Sequence, residues 1–470
     1  MKRLFPFVLP FALSLILTGC ASLTTTEYHR PKVDLPAVWQ ESQRGGYTMP
    51  DDKWWREFAD PRLDRLAEAV LGENIDLARA ALTLRQARLQ AGLAEGDLWP
   101  TLSVSDSVES SRRYGSGGST DKSFSISANM SYETNLFGRL SSVRDAAQWR
   151  AEATAYDLYA TRLSLSATLV SQYFQLAAIG EKLRLSAASI EYARKTLELM
   201  RAQYAAGAVG QLEVAEAERA LANQLASHEA LRQNDMATRQ TLALLLDQAP
   251  ENVRLEEPGD LMQAAIPEAS PDLPAALLAR RPDLAAAETR LRASLSATDA
   301  ARLNLYPRLS LSASLGGSAQ EWMRMLSNPV LNLGAGLTLP FVQWRQLRRQ
   351  MAISEADYQI AVLTFRQSVY QALSEVETCL SAAEKFKKQG EQLETMLAAA
   401  RQSEALYETR YRAGAVPLQS WLDAQERRRQ AEISLIDNRL ARLVNQANLA
   451  KALGGGVPRP VQNARDSNGG

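Results

Sequence analysis

The sequence contains the same succession of short motifs twice. The two occurrences of each motif are separated by a constant offset of 207 positions, as from Asp76 to Asp283. Four matches in one register indicate a tandem duplication, so this chain of 470 residues must fold as two copies of one plan. The matched pairs are Asp76-Leu77-Ala78 with Asp283-Leu284-Ala285, Leu84-Arg85 with Leu291-Arg292, Leu98-Trp99-Pro100 with Leu305-Tyr306-Pro307, and Tyr204-Ala205-Ala206-Gly207-Ala208-Val209 with Tyr411-Arg412-Ala413-Gly414-Ala415-Val416.

The first twenty residues have the pattern of a bacterial lipoprotein leader. Two basic residues precede an apolar stretch, Leu4 to Leu17, which is shorter than a membrane-spanning helix. Leu17-Thr18-Gly19-Cys20 then matches the lipobox, in which the cysteine becomes the acylated N-terminus. We predict a signal peptide over residues 1–19 and lipidation at Cys20, which anchors the chain to the outer membrane of a Gram-negative bacterium with its bulk in the periplasm. An ordinary signal peptide with an incidental cysteine is the alternative.

Composition excludes several classes of function. The 53 Lys and Arg residues are balanced by 53 Asp and Glu residues, so the basic excess of a nucleic-acid-binding protein is absent. Two cysteines and two histidines are too few for a structural zinc site or a disulfide scaffold. We find no nucleophile with a matching base and no phosphate-binding glycine loop. The sequence therefore predicts no enzyme, no cofactor and no metal site, and Cys379 is expected to be a buried, inert thiol.

Proline placement divides the two copies. Six prolines between residues 250 and 282 exclude a continuous helix there and indicate a connection. The predicted divisions are a signal peptide at 1–19, a lipidated extended segment at 20–60, a first structural repeat at 61–249, a proline-rich linker at 250–282, a second structural repeat at 283–456 and a disordered tail at 457–470.

Each repeat begins with a predicted helix that leads into two predicted strands. The helices cover about Pro61–Gly96 and Asp283–Asn304 and end at a Trp-Pro or Tyr-Pro step. In the strands, apolar residues alternate mainly with serine, which predicts one apolar and one polar face. The predicted apolar rows are Leu102, Val104 and Val108, interrupted by Asp106; Phe124, Ile126, Ala128, Met130 and Tyr132; Leu309, Leu311, Ala313 and Leu315; and Leu331, Leu333, Ala335, Leu337 and Leu339.

The pattern alone leaves two interpretations of these strands open. They could form soluble β-ribbons whose apolar face packs on helices, or strands of a membrane barrel with lipid outside and water inside. A lipid-anchored chain and strands of about 10 residues favour the barrel. Four strands cannot close a barrel, and an open edge is unstable in lipid, so several copies must contribute. Three copies would supply about twelve strands.

Long helical hairpins are predicted after the strands. Apolar or small residues recur every three or four positions, which is typical of a coiled-coil seam. A helix from Gly138 to Ala206 would be about 100 Å long. Turns at Gly207 and Gly414 then reverse the chain into return helices over about 211–246 and 417–453.

Six longer motifs, spread over nearly the whole mature chain, carry a family resemblance: Tyr28-His29-Arg30-Pro31, Trp54-Trp55-Arg56-Glu57-Phe58, Leu136-Phe137-Gly138-Arg139, Arg280-Arg281-Pro282-Asp283, Leu422-Asp423-Ala424-Gln425 and Lys451-Ala452-Leu453-Gly454-Gly455-Gly456. The chain resembles the outer-membrane-factor lipoproteins of tripartite efflux pumps, in the TolC-like superfamily. This resemblance implies an α+β membrane protein in which a transmembrane β-barrel, with four strands per chain and twelve in a homotrimer, continues into a long periplasmic α-helical barrel. It also implies two partners, a periplasmic adaptor protein and an inner-membrane transporter of the resistance–nodulation–division (RND) type.

The resemblance places a periplasmic gate beyond the hairpin turns. In TolC-like proteins an aspartate at the position matched by Asp423 lines the closed periplasmic entrance. Glu216 is its counterpart 207 positions earlier, and Glu426 stands where relatives often have arginine. Three copies could place up to six carboxylates around one constriction and favour cations. The alternative is that Glu216 and Asp423 are solvated helix charges, paired with Arg219 and Arg427 on the same helices.

The reversing turns resemble the tips that dock the adaptor. Without the resemblance they are helix–helix turns, in which glycine suits the position after the last helical residue. We expect Val209 and Val416 to be exposed apolar contacts at the centre of that interface. The candidate docking residues are Gly207, Ala208 and Val209 in the first turn and Gly414, Ala415 and Val416 in the second.

The sequence therefore predicts an outer-membrane channel lipoprotein that serves as a passive exit duct for drugs or other small toxic compounds. One alternative is a lipid-anchored periplasmic coiled-coil scaffold that does not span the membrane. Another is an exit duct that serves metal-ion export or type I protein secretion. The alternating strands argue against the scaffold, because a scaffold has no use for strands of membrane-spanning length.

Overall fold

The computed structural model describes residues 25–36, 39, 53–114, 118–249, 251, 254–267 and 280–455. The predicted signal peptide, Cys20 and the predicted disordered tail lie outside these residues. The described helices and strands are α1 (Pro61–Glu73), α2 (Ile75–Gly96), β1 (Thr101–Arg112), β2 (Thr120–Glu133), α3 (Arg139–Ala205), α4 (Gln211–Leu245), α5 (Pro282–Leu303), β3 (Arg308–Ala319), β4 (Val330–Thr338), α6 (Trp344–Arg412) and α7 (Leu418–Ala452). Short 3-10 segments cover Trp54–Phe58, Trp322–Arg324 and Pro340–Gln343.

The chain divides into two compact units that are discontinuous in sequence. The first unit draws on residues up to 33, 82–156 and 284–368, and the second on 34–81, 157–283 and the residues from 369 onward. Each unit therefore takes elements from both copies of the duplicated plan.

The first unit contains a four-stranded antiparallel sheet in the order β1-β2-β3-β4. The neighbouring strands pair over nearly their whole lengths, from Thr101 opposite Ser131 in β1–β2 to Gly316 opposite Val330 in β3–β4. Strands β1 and β4 each pair on one side only. Their outer edges therefore present unpaired backbone groups within the described chain.

The predicted alternation separates the two faces of this sheet. Ile126 lies opposite Asp106 on one side and Gly317 on the other, so Asp106 belongs to the apolar face rather than to the serine-rich face. The large apolar residues of this face are mostly exposed, and Leu333 is 77% exposed. An apolar surface of this extent requires a covering environment other than water.

Aromatic side chains border both ends of the apolar face. Trp99, just before β1, and Phe341, just after β4, are exposed at one end. At the other end Trp322 lies edge-on against Phe124, with their ring centroids 6.2 Å apart. Aromatic girdles around an apolar band are typical of strands that cross a membrane.

An irregular N-terminal segment of the first unit is held against α5. Thr26 donates two hydrogen bonds to the Asp299 carboxylate, from its backbone N–H (2.8 Å) and its hydroxyl (2.6 Å). The Arg292 guanidinium lies 4.6 Å from the centre of the Tyr28 ring. Burial, together with the neighbouring Glu288 carboxylate, raises the pKa of Tyr28 to about 12. The segment that follows the predicted lipidation site is therefore fixed in place.

The predicted helical hairpins are present. Helix α3 has 67 residues and α6 has 69, and the return helices α4 and α7 have 35 each. Among the described helices, none has the length and hydropathy that a bilayer-spanning helix needs.

The second unit is built on a core of aromatic and aliphatic side chains. Trp54, Trp55 and Phe58 are at most 3% exposed and pack with buried residues of α1 and α3. The Tyr173 hydroxyl donates to the Asp60 carboxylate at 2.5 Å, and burial together with this contact raises the pKa of Tyr173. These contacts join the residues before α1 to the middle of α3.

The prediction of one helix over residues 61–96 is wrong at Asn74. Asn74 is extended (ψ 130°), and its side-chain oxygen accepts hydrogen bonds from the backbone N–H groups of Asp76 and Leu77, which caps α2. Its amide group donates to the carbonyl of Leu245 at 2.9 Å. The break therefore depends on a residue far away in sequence. The second lead helix starts at Pro282, one residue before the predicted start.

Candidate functional site

The two hairpin tips share one backbone geometry. Gly207 and Gly414 both have φ of +71°, a left-handed conformation that glycine adopts without strain. The N–H of each glycine donates to the carbonyl three residues before it, at 2.9 Å in both turns. The N–H of the following alanine donates to the carbonyl five residues before it, at 2.8 and 2.9 Å. These bonds satisfy the last carbonyls of α3 and α6 and end both helices in the same way.

The expected exposure of the tip valines is wrong. Val209 and Val416 are half-buried, because the return helices begin at Gln211 and Leu418 and the chain folds back over these side chains. The surface of each tip is instead formed by the glycine and the alanine. The exposed candidate docking residues are Gly207, Ala208, Gly414 and Ala415.

A cluster of rings supports the tips from within the second unit. Trp421 stacks on Tyr411, with centroids 5.2 Å apart, and meets Tyr192 edge-on at 6.0 Å. Burial, with the nearby Glu408 carboxylate, raises the pKa of Tyr192 to about 12. This cluster fixes the start of α7 against α3 and α6, and with it the acidic residues that follow.

Asp423 is held by a relay of polar contacts. The Gln419 amide donates to the Asp423 carboxylate at 2.5 Å, and the Gln419 oxygen accepts from the Arg219 guanidinium at 3.3 Å. Arg219 thus contacts α7 rather than Glu216 on its own helix. The alternative in which both acids pair with arginines on their own helices is not what the structure shows.

The other two candidate gate residues differ in their surroundings. Glu426 accepts a hydrogen bond from the Gln224 amide of α4 at 3.4 Å and pairs with Arg429 in two contacts. Glu216 is half-buried and forms no side-chain hydrogen bond or ion pair with the described residues. The structure therefore brings Asp423 and Glu426 to the boundary between α4 and α7, and no described contact joins Glu216 to them.

Three buried polar atoms beside these acids have no partner within the described chain. They are the Gln224 oxygen, the Gln425 amide nitrogen and the Trp421 indole nitrogen. Buried polar groups are nearly always hydrogen-bonded to protein or to ordered water. This part of the hairpins therefore has unused donors and an acceptor next to Asp423 and Glu426.

The described residues contain no group of three or more His, Cys, Asp or Glu side chains arranged to hold a metal ion. Burial and the neighbouring Glu375 carboxylate raise the pKa of Cys379 to about 11, so its thiol is protonated at neutral pH. The His228 ring contacts the Ser186 hydroxyl at 3.2 Å and links α4 to α3.

The serine-rich face of the sheet is a second candidate surface. Serine hydroxyls of β1 and β2 meet across the strands, with Ser105 and Ser127 2.9 Å apart and Ser107 and Ser125 2.7 Å apart. In each contact either oxygen can be the donor. The face therefore offers water a continuous row of neutral hydroxyls.

Known proteins share this organisation. The outer membrane efflux protein family matches residues 66–248 and again residues 273–455. The chain is 32% identical over 464 residues to the pyoverdine export outer membrane protein OpmQ of Pseudomonas putida, which covers 96% of this chain and 97% of that protein. It is 28% identical over 422 residues to the toxin and drug export protein A of Aggregatibacter actinomycetemcomitans, covering 89% and 91%. The structure of the outer-membrane channel OprN matches with a TM-score of 0.83 and 27% identity, over 92% of this chain and 99% of that one.

A sheet with one apolar face, joined to long helical hairpins, defines a TolC-like outer-membrane channel. The chain belongs to the outer membrane efflux protein family. It is an outer-membrane channel for efflux from a Gram-negative bacterium. One family unit matches each half of the chain, which confirms the duplication inferred from the 207-residue offset.

Sequence reasoning missed the residues that hold the candidate gate. Gln419 precedes Asp423 by four positions on one helix, a spacing at which a glutamine and an aspartate can bond, so this contact had a local signal. Gln224 and Trp421 had none, because their roles depend on contacts between helices.

Proposed function

We propose that three copies of this chain form a passive exit duct that works with a periplasmic adaptor protein and an inner-membrane transporter of the RND type. The observation that carries the proposal is the two-faced, four-stranded sheet, both edges of which are unpaired in the part of the chain that the structure describes. The duct catalyses no reaction, and the inner-membrane transporter supplies the energy for export.

The sheet edges require partner strands. An exposed apolar face is stable in lipid, but unpaired backbone groups in lipid cost several kcal/mol each. Pairing β1 of one copy with β4 of the next satisfies both edges, and three copies give a closed barrel of about twelve strands. The serine-rich faces then surround water, and the apolar faces contact lipid.

The N-terminal segment supports a lipid anchor at Cys20. Thr26, six residues after Cys20, is bound to α5 within the unit that contains the sheet. Six residues span at most about 20 Å. An acyl chain on Cys20 would therefore enter the membrane close to the strands that cross it.

Asp423, Glu426 and Glu216 are the proposed gate acids. Near the tips, each hairpin is held together by an ion pair, Arg201–Glu218 at 2.8 Å or Arg401–Glu432 at 3.1 Å. The contacts between α4 and α7 run through side-chain amides at 3.3 and 3.4 Å, whereas α3 and α7 are joined by the Lys182–Asp437 ion pair. Because the α4–α7 contacts are longer and each involves an uncharged group, the boundary between α4 and α7 is where the duct would open.

The glycine tips are the proposed docking points for the adaptor. Gly207, Ala208, Gly414 and Ala415 leave exposed backbone and small side chains at the end of each hairpin. Val209 and Val416 would contribute to docking through their exposed parts. Equal geometry at the two tips suits an adaptor that binds both in a similar way.

We propose that the duct exports small toxic compounds. One relative is named for pyoverdine export and another for the export of toxins and drugs. The middle of the polar face suits such variety, because its serines and asparagines are uncharged; the charged residues of this face, Glu109, Asp121, Glu133 and Arg308, lie towards the strand ends.

Single-channel conductance in planar bilayers tests the duct and its gate together. The wild-type protein should assemble as a trimer and form pores with a small, cation-selective conductance. Asp423→Ala should raise the conductance and reduce the preference for cations, because up to three carboxylates are removed from the entrance. Glu229→Ala is the matched control, since Glu229 is an exposed acid of α4 that pairs with Arg232 three residues away. Equal conductance in wild type and Asp423→Ala would contradict the gate. The absence of pores from a lipidated preparation would contradict the duct and support a periplasmic scaffold.

A further inference from the structure

Two cationic side chains continue the apolar face of the sheet beyond its aromatic border. Arg112 and Lys122 lie at the end of β1 and β2 that is farthest from α2 and α3, and both are exposed. Val108 and Phe124 lie opposite each other on the apolar face. Arg112 follows Val108 by four positions, and Lys122 precedes Phe124 by two. Because alternate residues of a strand share a face, both cations belong to the apolar side of the sheet.

The two cations are close neighbours across the strands. Arg112 is paired with Thr120, which is two positions from Lys122 on β2. Diagonal neighbours of this kind lie about 7–8 Å apart, within the reach of long side chains. The Arg112 guanidinium also lies 5.5 Å from the centre of the Tyr114 ring, which holds it at this end of the hairpin. Both charged groups can therefore approach the oxygens of a single phosphate group.

Neither cation has an anionic partner in the part of the chain that the structure describes. Neither side chain forms an ion pair or a hydrogen bond with another described residue. Asp106, the acid of the apolar face, lies about 20 Å from Arg112 and about 14 Å from Lys122 along the strands. The loop between β3 and β4 has one acid, Glu321, which pairs with Arg324 at 3.2 Å. The charges of both cations are therefore available to an anion that approaches from outside the chain.

The charges at this end of the sheet are sorted by face. Glu109 and Asp121 occupy odd-numbered positions of β1 and β2, which belong to the serine-rich face. Arg113 continues that face, and its backbone N–H donates to the carbonyl of Ser119 at 3.0 Å. Beyond the aromatic border, the described part of this hairpin therefore presents two bases and no acid on its apolar side. Such a patch complements the anionic headgroups of lipids.

The position of the two cations along the strands matches the layer of lipid headgroups. Strands of membrane barrels tilt by about 35–45°, so Lys122 and Arg112 lie about 5 and 10 Å further from the bilayer centre than Phe124. The headgroup region is roughly 5–8 Å thick on each side of the hydrocarbon core, and long side chains extend into it. Under the proposed function the helices lie in the periplasm, so this end of the sheet lies in the outer leaflet.

We propose that Arg112 and Lys122 bind a phosphate group of lipopolysaccharide, the phosphate-bearing glycolipid of the outer leaflet in Gram-negative bacteria. The inference rests on the proposed function, because a barrel in the outer membrane is what brings this face to that leaflet. Phosphate oxygens accept hydrogen bonds from both the guanidinium and the ammonium group and balance the two unpaired charges. Binding at this point fixes the depth of the β1–β2 hairpin in the membrane.

Titration of the full-length protein with lipopolysaccharide tests the site. The protein is purified from outer membranes, and its bound lipid is removed by exchange of the detergent. Arg112→Gln should weaken binding about fivefold and the double variant Arg112→Gln with Lys122→Gln about thirtyfold, because each lysine or arginine beside an anionic lipid surface contributes about fivefold. Arg113→Gln is the matched control, since it removes the same charge from the adjacent residue on the polar face, and it should leave the affinity unchanged. Equal affinities of the wild type and the double variant, or equal losses in Arg112→Gln and Arg113→Gln, would overturn the proposal.

A variant that keeps both charges separates the electrostatic effect from a disturbed hairpin. Arg112→Lys with Lys122→Arg should bind lipopolysaccharide as the wild type does. A loss as large as that of the double glutamine variant would contradict a site based on charge.

Lipids that differ in their phosphate groups identify the ligand. Dephosphorylated lipopolysaccharide should bind the wild type about as weakly as intact lipopolysaccharide binds the double glutamine variant. Equal binding of the intact and dephosphorylated forms would refute a phosphate site. Equally tight binding of phosphatidylglycerol vesicles, or competition by inorganic phosphate at the same concentration, would overturn the assignment to lipopolysaccharide.

Conductance of the same preparations separates the two proposals. The double glutamine variant should form pores like those of the wild type, because both cations lie on the apolar side of the sheet. Pores formed by a protein whose lipopolysaccharide affinity is insensitive to both substitutions would refute the lipid site and leave the duct intact. Binding that depends on both cations, in a protein that forms no pores, would support the site and refute the duct.

Discussion

Replacing Leu333 by arginine tests whether the apolar face of the sheet contacts lipid. Leu333 lies near the middle of β4, opposite Ala313, and is 77% exposed. An arginine on the lipid face of a barrel costs about 2–4 kcal/mol near the bilayer midplane. Three copies would therefore destabilise the assembled barrel by about 6–12 kcal/mol. Leu333→Arg should fail to assemble or should unfold at much lower denaturant concentrations.

The neighbouring residue on the same strand is the matched control. Asn332 belongs to the polar face, where its amide donates to the Ser314 hydroxyl at 3.3 Å. Asn332→Arg should cost about 1 kcal/mol per copy, for the loss of that hydrogen bond. Both variants are refolded into phospholipid vesicles and titrated with guanidinium, and their oligomers are followed by gel mobility before and after heating. Equal losses in the two variants would refute the assignment of lipid to the apolar face.

Other predictions concern the second unit. Arg281→Met should destabilise the fold by about 1–3 kcal/mol in thermal unfolding, because the buried Arg281 loses its hydrogen bonds to Asp283, Glu375 and the carbonyl of Ala452; no measurable change would contradict this. Cys379 should be alkylated at pH 8 about a hundredfold more slowly than a thiol with the ordinary pKa of 9, because burial raises its pKa to about 11, and the rate should rise towards that pH. Alkylation at the rate of a free thiol would refute the burial effect. Gly414→Ala should cost about 1–2 kcal/mol because of its positive φ, whereas Ala415→Ser should cost little in the same unfolding experiment.

The features that follow from local periodicity could be predicted from the sequence. The alternating rows around Ile126 and Leu311 define strand faces whatever their partners are, and the glycines at 207 and 414 mark turns through their backbone freedom. Because the chain is duplicated, each of these local patterns occurs twice, and the second occurrence supports the prediction made from the first.

The features that depend on contacts between residues far apart in the sequence could not be predicted from the sequence. Asn74 interrupts the lead helix because its side chain reaches Leu245, and no local pattern indicates that partner. Arg219 prefers Gln419 of another helix to the acid three residues before it, so the rule for pairs along one helix failed at the candidate gate. Closely packed helices offer each long side chain more partners than its own helix does.

The paired serines of β1 and β2 have a consequence for the passage of solutes. Because either oxygen in the Ser105–Ser127 contact can donate, the row of hydroxyls has no fixed direction of polarity. A solute that moves along it exchanges one hydrogen bond for another of similar energy about every 7 Å. No position within this row of serines forms a deep energy minimum, so residence times along it are short and a compound is not retained there. Discrimination between compounds is then left to the gate and to the proteins that load the duct.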